Sequence, residues 1–127
     1  MKFESAPDVQ ARVSGIVSRL KMNYIASENI VCMRSFNSKS SAIARIWALP
    51  RIWQKALGKE AHYIIEVISS RFDKMNNEEK DKTLIHELLH IPKTFSGGLR
   101  PHKYFGKRID KKTVEMYFAA LKNAEQI

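Results

Sequence analysis

Two histidines four residues apart enclose a glutamate in the segment His86-Glu87-Leu88-Leu89-His90, and the flanking sequence calls for a helix there. Asn76 and Glu79 have the spacing of a helix cap and its reciprocal partner, while Pro92 disfavours helical geometry at Ile91. A helix is therefore predicted from about 77 to 90. Side chains four apart on a helix leave one face about one turn apart, so both imidazoles can reach a single zinc ion. Glu87, one step round the helix, can reach a water on that metal but not the metal itself. Zinc lowers the pKa of such a water to about 7, and a carboxylate can take its proton as it attacks a carbonyl carbon.

With four histidines and nine glutamates in 127 residues, random ordering produces this motif with a probability on the order of one per cent. The competing structural explanation is an amphipathic helix that sends Leu84, Leu88 and Ile91 to the core and the histidines to water. A third histidine favours the metal. His102 follows the glycine-containing stretch Gly97-Gly98-Leu99-Arg100-Pro101, and a catalytic zinc keeps three protein ligands and one open position. Glu115 and Asp110 are weaker substitutes as third ligand. His62, in or beside a strand, is read as structural.

The rest of the chain supplies a scaffold. Pro7 suits a first helical turn and Asp8 the positive end of a helix, and Val9, Val13, Ile16, Val17, Leu20 and Tyr24 keep helical spacing, so residues 6 to 26 are expected to form an amphipathic helix. Ile30 to Phe36 and Ile43 to Leu49 read as strands joined by a polar turn, a hairpin or a short loop between paired strands. Ile52, Trp53, Ala56 and Leu57 fit a short helix ending at Gly58, and Trp47 and Trp53 are expected to be core anchors. Ala61 to Ser69 is the clearest strand, and a last helix is expected from about 111 to 124. These elements predict one α+β domain over 1–127. In it a mixed or antiparallel sheet of about three strands packs with an N-terminal helix, the histidine-bearing helix and a C-terminal helix.

A chain of this length can bury a core without disulfides or a structural metal, so a metal here would serve chemistry. Its one cysteine, Cys32, lies in an apolar run and is read as a small core residue. No apolar stretch approaches the roughly 18 residues that span a bilayer, and the first ten residues lack the order of a signal peptide, so a cytoplasmic protein is expected. The net charge of +9 points to acidic partners. It is uneven: between Lys93 and Lys112, seven lysines and arginines face the single acid Asp110.

The segment HELLHIPKTFSGGLRPHK resembles the zincin metallopeptidases, and more closely a group of small phage and archaeal metallopeptidases. The likeness covers about Tyr63 to Lys103. It departs from the metzincin pattern, in which the third histidine comes much sooner after a glycine. The resemblance implies His86 and His90 as ligands, Glu87 as catalytic base, His102 as third ligand, and a small sheet packed on the active-site helix.

Two functions follow as expectations. One is a zinc peptidase that binds a peptide or protein substrate extended along a sheet edge, with Ala61 to Ser69 as that edge or its neighbour. Arg100, Lys103 and Tyr104, close to His102 in sequence, are candidates to stabilise an oxyanion. The alternative is a nucleic-acid-associated regulatory or inactive module that uses the basic stretch from Lys93 to Lys112 to hold DNA or another acidic partner. The sequence has no zinc-finger spacing or RNP-like aromatic motif to support a dedicated binding module.

Overall fold

The computed structural model of the chain describes residues 1–104 and 107–125. Its centre is a four-stranded mixed sheet, ordered β1-β2-β4-β3, built from β1 (Lys2–Ser5), β2 (Ile30–Phe36), β3 (Ala44–Ala48) and β4 (Tyr63–Ile68). β1 and β3 run antiparallel to their neighbours, and β2 and β4 pair in parallel, with Cys32 opposite Ile65. The helices are α1 (Pro7–Arg19), α2 (Arg51–Leu57), α3 (Ser69–Phe72), α4 (Asn77–Leu88) and α5 (Lys111–Glu125). A small hairpin, β5 (Lys103–Tyr104) with β6 (Lys107–Arg108), precedes α5. The α+β class matches the expectation, with one strand more in the main sheet.

Alternation explains which face of the sheet is covered. Ile30 and Cys32 on β2, and Tyr63, Ile65 and Val67 on β4, point to one side and are buried in a single apolar cluster. That cluster takes Val9, Val13 and Ile16 from α1, Leu84, Ile85 and Leu88 from α4, and Val114, Phe118 and Leu121 from α5. Each fully buried aliphatic side chain contributes roughly 1.5–3 kcal/mol relative to exposure, so the sheet and three helices hold one another in place. No helix among the described residues is long and apolar enough to cross a membrane.

α1 enters the fold through β2. β1 covers β2 only from Met33 to Phe36, which leaves the backbone near Ile30 and Cys32 unpaired on that side. Gln10 fills the gap: its Nε2 donates to the Ile30 carbonyl at 2.7 Å and its Oε1 accepts from the Cys32 amide at 2.9 Å. The amide of Ala6 adds a bond to the Cys32 carbonyl.

The structure corrects several expectations. The first helix ends at Arg19, not near 26, because Lys21 adopts a left-handed φ of 53° and Met22 turns back to bond the Val17 carbonyl. Apolar spacing continued through Leu20 and Tyr24 because Met22 and Ile25 still pack into the core as irregular chain. The strands around 30–36 and 43–49 are not paired as a hairpin, since β4 lies between them. Trp47 and Trp53 are not core anchors: they are 51% and 56% exposed. The Trp47 indole lies on the uncovered face of the sheet, where its Nε1 donates to the buried Glu66 carboxylate at 2.9 Å.

Candidate metal centre

α4 forms where its cap and apolar spacing predict it. The Asn76 side chain accepts the Glu79 amide at 2.8 Å, and Glu78 and Glu79 place negative charge at the positive helix end. Leu84, Ile85 and Leu88 press that face into the core, and Arg12 of α1 holds the buried Asp81 at 2.8 Å. The regular helix stops at Leu88. The chain continues in a tighter turn, with His90 N bonded to the Glu87 carbonyl and Ile91 N to the Leu88 carbonyl, until Pro92. His90 thus keeps its place one turn beyond His86.

His102 joins them by a loop anchored far away in sequence. The Tyr63 side chain, wholly buried at the start of β4, accepts the Gly97 amide and donates to the Gly98 carbonyl, both at 2.9 Å. Phe95 packs on the Tyr63 ring, with centroids 5.1 Å apart. Gln54 of α2 donates through Nε2 to the carbonyls of Leu49 and Ser96. Gly97 has φ of 105°, a conformation that suits glycine alone, and an added Cβ would lie 2.8 Å from the Leu49 carbonyl oxygen. The loop then runs back beside α4, where the Arg100 amide bonds the His90 carbonyl at 2.7 Å.

The three imidazoles converge. His86 Nε2 lies 3.2 Å from His102 Nε2 and 3.4 Å from His90 Nε2, and the ligand atoms of all three lie within 4.8 Å of one another. A neutral imidazole nitrogen offers one proton or one lone pair along one in-plane direction, so hydrogen bonding cannot account for a three-way approach. Nitrogens bound tetrahedrally at the zinc distance of about 2.0–2.1 Å stand about 3.3 Å apart, and the two spacings from His86 agree with that value. His90 Nδ1 donates to the Arg100 carbonyl, which leaves its Nε2 as the lone-pair nitrogen. The donor set therefore fits a zinc ion.

The electrostatics agree with ligand-ready side chains. Burial, reinforced by His90 and His102, pushes the His86 pKa down to about 4, and burial likewise lowers that of His90. Burial raises the Glu87 carboxyl to about 7. Glu87 is nearly enclosed and opens with His86 onto a cavity of about 690 Å3. Ser41 to Ala44, which lead into the edge strand β3, form one wall of that cavity, and α4 and the start of α5 form the others.

The other sequence candidates lie apart from this convergence. Arg100 contributes its backbone to His90, while its side chain lines a second cavity. Lys103 is exposed on β5, and the side chain of Tyr104 lies outside the described residues. Both alternative third ligands are engaged elsewhere. Glu115 pairs with Lys82 at 2.8 Å, and Asp110 caps α5 through the Thr113 amide and hydroxyl. His62 is remote, with Nδ1 against the Glu60 carbonyl. Sequence reasoning missed Tyr63 and Gln54 because both act on the loop through backbone groups more than 30 residues away.

The fold and site define a small α+β protein that gathers three imidazoles at the end of one helix, beside a buried carboxylate. The chain belongs to the family described as putative phage metallopeptidase, which matches residues 1–120. It matches no curated protein and no solved structure.

Proposed function

We propose that this chain is a zinc-dependent peptidase in which His86, His90 and His102 hold the metal and Glu87 is the general base. The observation that carries the reading is the convergence of three imidazoles, with His86 Nε2 at zinc-ligand spacing from both His90 Nε2 and His102 Nε2 and Glu87 opening onto the same cavity as His86. Membership of a metallopeptidase family supports it. Bound zinc supplies a Lewis acid that polarises a carbonyl and brings the pKa of water to about 7.

The protein's own residues then have separable tasks. The Arg100 carbonyl fixes the His90 ring, and the Tyr63-held loop fixes His102. Glu87, itself buried at the wall of the cavity, accepts a proton and passes it to the departing amine. β3 is the sheet edge beside that cavity, and β4 is its inner neighbour. An extended peptide aligned with β3 would have main-chain partners along the strand and would pass over Glu87 and His86.

The test combines metal analysis with a peptide or unfolded-protein library. About one zinc per chain is expected, and His86→Ala or His90→Ala abolishes tight binding. Glu87→Gln keeps the zinc and slows hydrolysis by roughly 100-fold or more. Unchanged zinc content in both histidine variants removes the site. Wild-type turnover by zinc-loaded Glu87→Gln removes Glu87 as the base, whereas zinc-loaded protein that cleaves nothing in the library leaves the regulatory or inactive module as the better reading.

A further inference from the structure

A second cavity, of about 680 Å3, lies on the other side of the metal-bearing turn and differs sharply in charge from the first. The cavity that contains His86 and Glu87 has Glu79 and Glu115 as well as Lys82 and Lys111 in its walls. The second has Lys21, Lys93, Arg100 and Arg108 and no aspartate or glutamate. Lys21, Lys93 and Arg108 are exposed and form no carboxylate salt bridge among the described residues. Asp110, near Arg108, has its carboxylate turned to the cap of α5.

Three separate parts of the chain bring these cations together: the turn after α1, the loop after α4, and the hairpin strand β6. The turn places Lys21 there at some cost, since a left-handed residue ending a helix is usually glycine. The carbonyls of Ile16, Val17 and Ser18 at that helix end accept from the amides of Leu20, Met22 and Lys21, which closes the turn that carries Lys21. Tyr24 and Tyr117 also line the cavity, and Tyr117 is 37% exposed.

We propose that this cavity is a binding groove for single-stranded nucleic acid, with Lys21, Lys93 and Arg108 on the phosphates and Tyr117 against a base. A groove of cations interleaved with aromatic side chains matches the way single strands are held, by charge along the backbone and stacking of bases. An acidic peptide would use the cations but leave the aromatic wall without a role. The Arg100 backbone links the groove to His90, so a bound strand lies beside the metal centre. The binding is independent of the peptidase reading, because it needs neither the metal nor Glu87.

The experiment measures binding of fluorescent single-stranded DNA and RNA oligonucleotides, against a duplex and a polyglutamate peptide, across a salt series. The full chain is used with and without zinc. Wild type binds the single strand with a Kd of about 10 μM or tighter at low salt, and the affinity falls with salt by about 0.7 log units per contacted phosphate for each decade of salt. The triple variant Lys21→Glu, Lys93→Glu, Arg108→Glu loses affinity by roughly 30-fold or more and flattens the salt slope by about two units. A control triple, Arg51→Glu, Lys55→Glu, Lys59→Glu, has the same net charge but alters cations that line neither cavity, and it shifts affinity by less than about threefold. Tyr117→Ala weakens the single strand roughly tenfold and polyglutamate not at all. Circular dichroism checks folding, and the corresponding triple glutamine variant, expected to lose affinity in the same direction, replaces any charge reversal that unfolds. The proposal is overturned if wild type binds no strand at low salt, if both triples lose affinity equally, or if duplex or polyglutamate binds as tightly as the single strand.

Discussion

The hydroxyl of Tyr63 accepts the amide of Gly97 at 2.9 Å while donating to the carbonyl of Gly98 at the same distance, from a side chain with no exposed surface. One residue at the start of the inner strand β4 therefore satisfies both backbone groups that would otherwise be lost where the loop dips inward. That loop is the one that returns His102 to His86 and His90.

Tyr63→Phe keeps the buried ring and removes both bonds. The Gly97 amide and the Gly98 carbonyl then lose their partner, at a cost of roughly 1–3 kcal/mol in stability, read from urea unfolding. Because the loss falls on the loop, zinc affinity should drop roughly 10- to 100-fold in chelator competition, the range typical for outer partners of a metal site. A variant destabilised to this degree with unchanged zinc affinity would show that the loop does not position His102.

Adjacent glycines should respond differently. Gly97→Ala forces a side chain into φ of 105° and against the Leu49 carbonyl, whereas a Cβ on Gly98 meets nothing within 4 Å. Gly97→Ala is expected to lower stability by about 2 kcal/mol or more and weaken zinc binding, while Gly98→Ala stays within about 0.5 kcal/mol of wild type. Thermal unfolding of the two variants side by side tests the assignment. Equal effects would contradict it.

These loop contacts show what local sequence could and could not reveal. The cap at Asn76, the apolar spacing to Leu88 and the stop at Pro92 are local signals, and so α4 and its two histidines were legible. The Gly58 end of α2 and the β-branched run of β4 were legible for the same reason. Strand β1 was not, because Lys2 to Ser5 is four exposed residues with no apolar alternation, defined only by its pairing with β2. The insertion of β4 between β2 and β3 is likewise a tertiary choice, set by which strand carries an apolar residue on nearly every position and must sit innermost. The positive groove joins Lys21 to residues more than 70 positions later, so the charge count found only the half that is contiguous in sequence.

Acid should weaken the fold through a defined cluster. Arg34 of β2 grips Asp8 through Nη1 and Nη2 at 2.9 and 2.8 Å, and Asp73 through Nε and Nη2 at 3.0 and 2.8 Å. The hydrogen bonds from Arg34 hold Asp8 at about 2, below its ordinary 3.8. Burial would raise Asp73, but Arg34 and the Ser69 hydroxyl outweigh it and lower that group too. A carboxylate with a depressed folded pKa adds stability that is complete above its unfolded pKa and disappears as pH falls through the folded value. The contribution from Asp8 is therefore full above about pH 4 and gone below about pH 2. Arg34→Gln should be less stable than wild type at pH 7 and converge with it near pH 2, in urea midpoints taken across that range. A constant difference at all pH values would exclude the linkage.

The proposed third ligand gives the most discriminating test of the candidate metal centre, because the competing carboxylates are already engaged. Glu115 is held by Lys82, and Asp110 accepts from the Thr113 amide and hydroxyl, whereas His102 Nε2 stands 3.2 Å from His86 Nε2. His102→Ala should weaken zinc by more than the roughly 100-fold upper range for outer partners, since a direct ligand is lost. Glu115→Gln should leave zinc affinity within about threefold, as its only change is a half-exposed ion pair with Lys82. Asp110→Asn, which keeps a side-chain oxygen to accept the Thr113 amide, should leave both the cap of α5 and the metal in place. Folding should survive His102→Ala, because the side chain is exposed and contributes nothing to the apolar cluster. Isothermal titration with zinc, with unfolding curves on the same metal-free samples, separates ligand loss from structural loss. If His102→Ala binds zinc like wild type while Glu115→Gln does not, the third ligand is Glu115, and the convergence of the three imidazoles serves another purpose.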